Sequence, residues 1–289
     1  MNSLLETAAR LESENAPFAL VTVLRTASPT SAHAGDKAVV TPEGKFYGWV
    51  GGGCAQRHIV RAVRAALADG KARQIRVVPE GEVDEGAREV EEFASYCPSR
   101  GTLELLIDPV MARPQLVVLG DSPVATSLSA LAPQLGFDVT VAALDAVPDD
   151  YPDAAAVFPL FESDVLLKHV KPGAYVVVAT QGKFDIVALK TALFIGARHV
   201  SFVASERKAA ALKEDLRKEG LPEKDIDAIV APAGLDISAR TPAEIALSVL
   251  ACLVSLRRGL EVQASEPSAP ALAPAALAVV GNGALRARS

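Results

Sequence analysis

Three consecutive glycines precede a cysteine in residues 48–60, GWVGGGCAQRHIV, where a predicted strand passes into a predicted helix. Successive glycines adopt left-handed and right-handed conformations at no steric cost, so their N–H groups can point into one concavity. The positive end of the following helix strengthens that field and stabilises a thiolate at the helix start. The glycines Gly51, Gly52 and Gly53 therefore indicate an anion site. Cys54 is the candidate catalytic thiol, as a nucleophile or a soft metal ligand.

The same residues also fit a purely structural interpretation, in which the glycines form a tight corner and Cys54 is a small buried side chain. If the anion site is real, a side chain at Gly52 or Gly53 should meet left-handed backbone strain and weaken ligand binding before it weakens the fold. Three arginines follow at helical spacing and fit either a solvated face or a basic rim for a phosphorylated ligand. They are Arg57, Arg61 and Arg64.

A polar loop, TASPTSAHAGDK, lies before a predicted hairpin over residues 37–50. If the hairpin forms, the loop ends near the glycine corner, and its polar side chains are expected close to Cys54. These are Ser31, His33, Asp36 and Lys37. Cys97, in SYCPSRG, is either a second thiol facing the first or a buried structural cysteine.

A second candidate site lies near the start of the carboxyl-terminal part of the chain, in the sequence VVLGDSPVA. Gly120, Ser122 and Ala125 stand at the three positions of a G-x-G-x-x-G/A dinucleotide fingerprint. Serine replaces the glycine that normally lets the backbone approach a pyrophosphate, which weakens the dinucleotide interpretation. Asp145 closes the next predicted strand, where a ribose 2′-hydroxyl would be held. A Rossmann-like fold with a lost or altered ligand is the alternative.

The glycine corner belongs to a predicted α+β unit. Its first helix carries a capping box made by Ser3 and Glu6, and the helix after Gly53 is stopped by Gly70. Strands are predicted over residues 18–25, 73–78 and 101–110, with an acidic segment over residues 80–92.

From residue 114 onwards, short apolar strands alternate with helices, which is typical of a doubly wound parallel sheet. The last predicted helix, over residues 241–258, begins with Thr241, Pro242 and Glu244, the residue types preferred at a helix start. We predict an α/β protein with an N-terminal α+β domain followed by a Rossmann-like domain with a doubly wound parallel sheet. The predicted boundaries are 1–112, 113–262 and, for an Ala/Pro-rich flexible tail, 263–289.

Composition excludes several classes of function. A net charge of −6 and a pI near 5.4 argue against nucleic acid as a partner, because its binding needs a clustered positive field. The 3 cysteines are too widely spaced for a disulfide framework or a zinc site, so no metal ligands are predicted. No long apolar run predicts a membrane span, and the first residues form an amphipathic helix that does not resemble an export signal. Together these features predict a cytoplasmic protein.

Taken together, these residues resemble the XdhC/CoxI family, the maturation proteins of molybdenum hydroxylases such as xanthine dehydrogenase and carbon monoxide dehydrogenase. The resemblance spans residues 16–258. The family's Gly-Gly-Cys is matched at Gly52, Gly53 and Cys54, and its most specific landmark is matched by APAGLDISARTPAEIALS, residues 231–248. Further landmarks are Gly120, Asp145, Thr180, Asp185, Ser205 and Lys208. The chain departs from the pattern at Gln56, Pro98, Ser99, Ser122 and Gln181, which suggests a diverged branch such as the CoxF type.

The resemblance implies that the protein binds the molybdenum cofactor, protects it while its sulfido ligand is installed, and passes it to an apo-hydroxylase. It also implies a cysteine desulfurase as a second partner and a homo-oligomer. FAD or the dinucleotide form of the cofactor is expected in the Rossmann cleft. The predicted cofactor-binding residues are Gly51, Gly52, Gly53, Gln56, Gly120, Asp121, Ser122, Asp145, Thr180, Gln181, Gly234 and Asp236.

An oxidoreductase is the competing hypothesis. Such an enzyme would use NAD(P)H or FAD in the second domain and the cysteine thiols in the first. The order of strands and helices and Asp145 favour this hypothesis, whereas Ser122 counts against it.

Overall fold

The structure is a computed structural model that describes residues 3–82, 90–96, 100–158 and 163–259. It divides into two compact units, Met1–Arg113 and Pro114–Ser289. Cys97, Pro98, Ser99, most of the predicted acidic segment and the predicted tail lie outside the described residues.

The first unit is a six-stranded sheet with the order β3-β2-β1-β6-β4-β5. Its pairings are antiparallel except for the parallel pair β4–β5. The helices are α1 (Leu4–Ser13) and α2 (Gly53–Asp69), and the strands are β1 (Phe18–Ala27), β2 (Lys37–Val40), β3 (Phe46–Gly48), β4 (Arg73–Pro79), β5 (Glu91–Ser95) and β6 (Thr102–Val110).

Local sequence signals account for most of this unit. The capping box of α1 is present, with Ser3 accepting from the Glu6 N–H and the Glu6 carboxylate accepting from the Ser3 N–H. Helix α2 buries an apolar stripe that includes Ile59 and Val63 in the core of the unit, and it ends at Gly70 in a left-handed conformation. The predicted helix, its stop signal and the hairpin are therefore confirmed.

The sequence analysis did not predict strand β5, because its residues, EEFAS, continue an acidic segment. It pairs in parallel with β4 at the edge of the sheet, with Phe93 opposite Val77. Phe93 is 7% exposed and joins the core under α2. A single buried aromatic side chain in a charged segment is too weak a signal to predict a strand.

The second unit is a six-stranded, fully parallel sheet with the order β12-β11-β10-β7-β8-β9. The strands are β7 (Gln115–Leu119), β8 (Asp138–Ala142), β9 (Ala156–Phe158), β10 (Tyr175–Val178), β11 (His199–Phe202) and β12 (Ile229–Val230). The helices are α3 (Pro123–Leu131), α4 (Ser163–Leu167), α5 (Asp185–Phe194), α6 (Glu206–Lys218), α7 (Glu223–Asp227) and α8 (Pro242–Arg257).

This strand order is that of the Rossmann fold, and the order reverses between β7 and β10. Helices α3 and α8 contribute to the core on one face of the sheet, whereas α5, α6 and α7 contribute to the core on the other. Thr241 caps α8 with its hydroxyl, and Pro242 and Glu244 occupy the positions predicted for them. The predicted fold class is confirmed. Within the described residues, no helix combines the length and apolarity required to cross a membrane.

Candidate functional site

The first corner, residues 51–54, turns the chain after β3 into α2. Gly51 has a φ of +120°, and a Cβ built on it would lie 2.9 Å from Cδ1 of Leu103. Gly51 is therefore required by backbone conformation and by close packing. Gly52 is the N-cap of α2, with a φ of −73° and a ψ of 175°, and α2 begins at Gly53.

The expectation of strain at the second and third glycines is wrong. Gly52 is extended and Gly53 is helical, and a Cβ on either residue would have no atom within 4 Å. Of the three glycines of this corner, Gly51 alone needs to be glycine for steric reasons. The absence of a side chain at Gly52 has a different consequence, because the N-cap position then provides no hydroxyl or carboxylate for the first-turn N–H groups of α2.

Cys54 follows in the first turn of α2 and is exposed. Its exposure excludes the interpretation of Cys54 as a small buried side chain. Cys252 behaves in the opposite way, because it is buried in α8 and burial raises the pKa of its thiol. An exposed thiol beside the N–H groups of a helix start is an environment that favours the thiolate.

Aromatic and basic side chains surround the next turn of α2. The Arg57 guanidinium lies 5.7 Å from the centre of the Tyr96 ring, and its Nε donates to Nε2 of His58 at 3.1 Å. Burial and the neighbouring Arg57 lower the pKa of His58 below its ordinary value. Arg61 lies over Phe93, with 5.5 Å between guanidinium carbon and ring centre.

Arg64 donates to the Pro42 carbonyl at 2.8 Å. The three arginines of α2 are exposed and also contact neighbouring protein groups. Gln56, another predicted ligand residue on α2, is half-buried.

The polar loop before β2 approaches the corner at two of its residues. The Trp49 indole donates to the Ser31 carbonyl at 3.3 Å, and the Ala32 Cβ lies 3.9 Å from the position of a Cβ on Gly51. Two other polar groups of the loop have partners within the loop or on β1. The His33 N–H donates to the Asp36 carboxylate, and Lys37 donates to the Thr22 hydroxyl at 3.0 Å.

The second corner, residues 120–123, joins β7 to α3. Gly120 has a φ of +131°, and a Cβ there would overlap the Ala179 carbonyl at the end of β10. Ser122 is the N-cap of α3, and its hydroxyl accepts from the Ala125 N–H at 3.2 Å. Ser122 is 5% exposed. The serine that replaces the second fingerprint glycine therefore has a structural role as a helix cap.

Side chains that follow β7 and β10 in the chain contact one another where the strand order reverses. The Lys183 ammonium lies 3.1 Å from the Asp121 carboxylate. The buried Thr180 hydroxyl donates to Asp185, and the second oxygen of Asp185 pairs with Lys208 at 2.7 Å. Gln181 is exposed in a left-handed conformation with a φ of +52°. Three predicted residues, Gly120, Asp121 and Thr180, thus lie on adjacent strand ends.

The other predicted residues of this unit are more spread out. Asp145 is exposed beyond β8 with a φ of +59°, whereas Gly234 and Asp236 follow β12. A Cβ on Gly234 would overlap Ser248 of α8, so this glycine allows close packing. The Asp236 carboxylate accepts from the Ser238 N–H at 3.1 Å.

A groove of about 680 Å³ lies between the starts of α3 and α8. Its lining includes Asp121, Thr126 and Thr241. Tyr151 is buried nearby, and burial, together with the charges of Asp121 and Asp150, raises the pKa of its phenol.

The sequence analysis missed Tyr151 and Lys183. Tyr151 lies in an acidic stretch that matches no motif. Lys183 lies in the turn after β10, and no local sequence pattern singles it out. Within residues 3–82, 90–96, 100–158 and 163–259, no three His, Cys, Asp or Glu residues are grouped so as to hold a metal ion.

Comparison with known proteins assigns both units to one family. Residues 116–253 match the family model described as the XdhC Rossmann domain, and residues 11–78 match the XdhC and CoxI family. The chain is also similar to the uncharacterised protein YqeB of Escherichia coli K12, with 29% identity over 272 residues. That alignment covers 90% of this chain and 48% of YqeB, so the chain spans about half the length of this relative.

A crystal structure described as a xanthine dehydrogenase, BH1974 of Bacillus halodurans, aligns with 92% of this chain and 98% of its own. The sequence identity is 18% and the TM-score is 0.46. The two family models together cover the whole of α2 in the first unit and nearly the whole parallel sheet of the second unit. The chain therefore belongs to the XdhC/CoxI family.

Proposed function

We propose that this protein is a maturation factor for a molybdenum hydroxylase and that it holds a molybdopterin-type cofactor at the first corner. Family membership supports the general role. The observation that carries the cofactor proposal is the exposed Cys54 thiol in the first turn of α2, directly after the glycine N-cap Gly52.

The chemistry of this corner fits a cofactor that bears a phosphate and a metal with affinity for sulfur. The first-turn N–H groups of α2 provide hydrogen-bond donors and a positive field for the phosphate. The exposed thiol of Cys54 would provide a soft ligand, or would accept the outer sulfur of a persulfide donor, which leaves as a thiol. When bound, the cofactor would supply the molybdenum centre whose sulfido ligand the client enzyme needs.

In this proposal, residues of the chain bind and shield the cofactor. Gly52 keeps the N-terminal N–H groups of α2 accessible because it has no side chain. Trp49 and Tyr96 are 49% and 65% exposed, which gives this unit large flat side chains able to cover a planar pterin. Arg57, which lies over Tyr96, adds positive charge beside the same turn.

The second unit is proposed to bind a nucleotide, either FAD or the nucleotide part of a dinucleotide cofactor. The support is the glycine turn at Gly120, the reversal of strand order beside it, and the adjacent groove. Asp145 is the proposed partner of a ribose hydroxyl, since it is an exposed carboxylate following the second strand of the fold.

The cofactor proposal is tested with a matched pair of cysteine variants. Cys54→Ala removes the exposed thiol, whereas Cys252→Ala removes a buried thiol in the second unit. Purified variants are titrated with molybdenum cofactor released from a denatured molybdenum enzyme, and retained pterin is measured by fluorescence after gel filtration. We expect Cys54→Ala to weaken retention by roughly tenfold or more, on the scale of one lost charge-assisted contact. Equal retention by the parent and both variants would exclude a role for Cys54.

The nucleotide proposal has its own measurement. The absorbance spectrum of the purified protein shows whether flavin copurifies, and mass spectrometry of the released ligand identifies any other nucleotide. Flavin without reductase turnover supports binding in the course of maturation. Sustained NAD(P)H oxidation by the flavin-loaded protein would instead identify an oxidoreductase.

A further inference from the structure

An ion pair spans the crevice of the second unit at the point where the strand order reverses. Asp121 follows β7 and Lys183 follows β10, and these two strands are parallel neighbours. Ligands of open α/β sheets bind outside the carboxyl ends of the strands at this point. The pair of charges therefore lies where a ligand of a Rossmann fold is expected.

The loop that carries Lys183 has an unusual backbone. Gln181, Gly182 and Phe184 have φ values of +52°, +97° and +60°, and left-handed conformations are disfavoured for the two residues other than glycine. Buried contacts hold the loop where it enters α5, because Asp185 accepts from Thr180 and pairs with Lys208. Backbone strain that is held by its surroundings is typical of ligand-binding loops.

The two partners of the pair differ in exposure. The side chain of Lys183 is 70% exposed and that of Asp121 is 34% exposed. Asp121 also lines the groove between α3 and α8, so this carboxylate lies between the groove and the lysine. An exposed ion pair of this kind contributes little to stability, so another anion can replace the carboxylate at small cost.

We propose that Lys183 is a phosphate-binding residue and that Asp121 is a substitute anion, which pairs with Lys183 until a nucleotide phosphate displaces it. This inference rests on the proposed nucleotide site in the same crevice. A lysine ammonium is a point charge on a flexible stem, so it can exchange one anionic partner for another. A diphosphate carries more negative charge than a carboxylate and offers more acceptor oxygens. Displacement moves Asp121 away from the phosphate, because the two anions repel each other.

The proposal predicts opposite effects for the two members of the pair. Asp121→Asn removes the competing charge and frees Lys183, so ADP should bind about fivefold more tightly, whereas Lys183→Gln should weaken ADP about tenfold. Binding to the full chain is measured by calorimetry at low and moderate salt. Adenosine is the control ligand, since it lacks the phosphates and should be insensitive to both changes.

A second ion pair of the same unit provides matched control variants. The Lys190 ammonium lies 2.6 Å from the Glu219 carboxylate, and both side chains are partly exposed. This pair joins α5 to the end of α6, away from the reversal of strand order. Lys190→Gln and Glu219→Gln should leave the affinity for ADP unchanged. Thermal unfolding of every variant establishes that the fold is intact, and Lys183→Arg, which keeps the charge, should recover most of the lost affinity.

The outcomes separate this inference from the proposed function. Weaker ADP binding by Asp121→Asn would overturn the exchange and make the carboxylate part of the site. Equal affinity of the parent, Asp121→Asn and Lys183→Gln would also overturn it, while the nucleotide site itself would stand. If neither the parent nor any variant binds ADP or FAD, both the exchange and the nucleotide site are refuted. The titration of molybdenum cofactor against Cys54→Ala is unaffected by that result.

Discussion

The two corners that precede α2 and α3 both turn at a glycine with positive φ, and they differ in the residue that caps the first N–H groups of the helix. In each, a glycine with positive φ, Gly51 or Gly120, lets the chain turn from a sheet into a helix. The first corner then has a glycine N-cap and an exposed thiol, Cys54. The second has Ser122, a buried N-cap whose hydroxyl accepts from the helix.

This difference separates the steric role of a glycine from its role in binding. Gly51 and Gly120 are required because a Cβ on either would collide with a neighbour. Gly52 is not required for that reason, yet its missing side chain keeps the helix start accessible to an external anion. At the second corner, the Ser122 hydroxyl already accepts from one N–H group of the first turn of α3. A ligand there therefore has fewer backbone donors and depends more on side-chain charges such as that of Lys183.

The largest expected effect is that of Gly120→Ala. The new Cβ would overlap the Ala179 carbonyl, and the φ of +131° is open to few residues other than glycine. We expect a loss of about 3 kcal/mol or more in the free energy of unfolding. Thermal unfolding followed by circular dichroism should show the loss. An unchanged midpoint would mean that β7 and β10 separate easily at this point.

The first corner allows an internal comparison between Gly51→Ala and Gly53→Ala. Alanine at residue 51 combines positive φ with a contact to Leu103, and should destabilise by about 2 kcal/mol. Alanine at residue 53 enters the first turn of α2 with no atom within 4 Å, and should stabilise by about 0.5 kcal/mol. Fluorescence of Trp49, the only tryptophan in the chain, reports unfolding of this unit. Equal losses for both variants would contradict the assignment of strain to Gly51.

Much of the fold follows from local sequence signals. Alternating apolar strands and helices predict the parallel sheet, and the residue types at Thr241, Pro242 and Glu244 predict the start of α8. The short edge strands β5, β9 and β12 were missed, because a strand of two to five residues has too few residues to establish a period. Tertiary pairing, and not local preference, determines these strands.

The candidate sites were less predictable than the fold. The position of Cys54 at a helix start follows from the sequence, but which of the three glycines has a positive φ does not, because glycine accepts either sign. The fingerprint points to Gly120 and Ser122. Lys183 enters the site only through the pairing of β7 with β10, which joins residues far apart in the chain. Long-range pairing of this kind leaves no local pattern in one sequence.

Changes at the two helix caps should alter stability less than the losses expected at Gly120 and Gly51, and they should have opposite signs. Ser122→Ala removes a hydroxyl that accepts from the Ala125 N–H, which should cost about 1 kcal/mol. Gly52→Ser places a hydroxyl at an open N-cap position, which should add roughly 0.3 kcal/mol. Urea unfolding of the parent and the two variants measures both changes.

Because the new hydroxyl of Gly52→Ser competes for the same N–H groups as an external anion, this variant should also retain less molybdenum cofactor although its fold is more stable. Greater stability with undiminished retention would show that the cofactor does not use the helix start of α2.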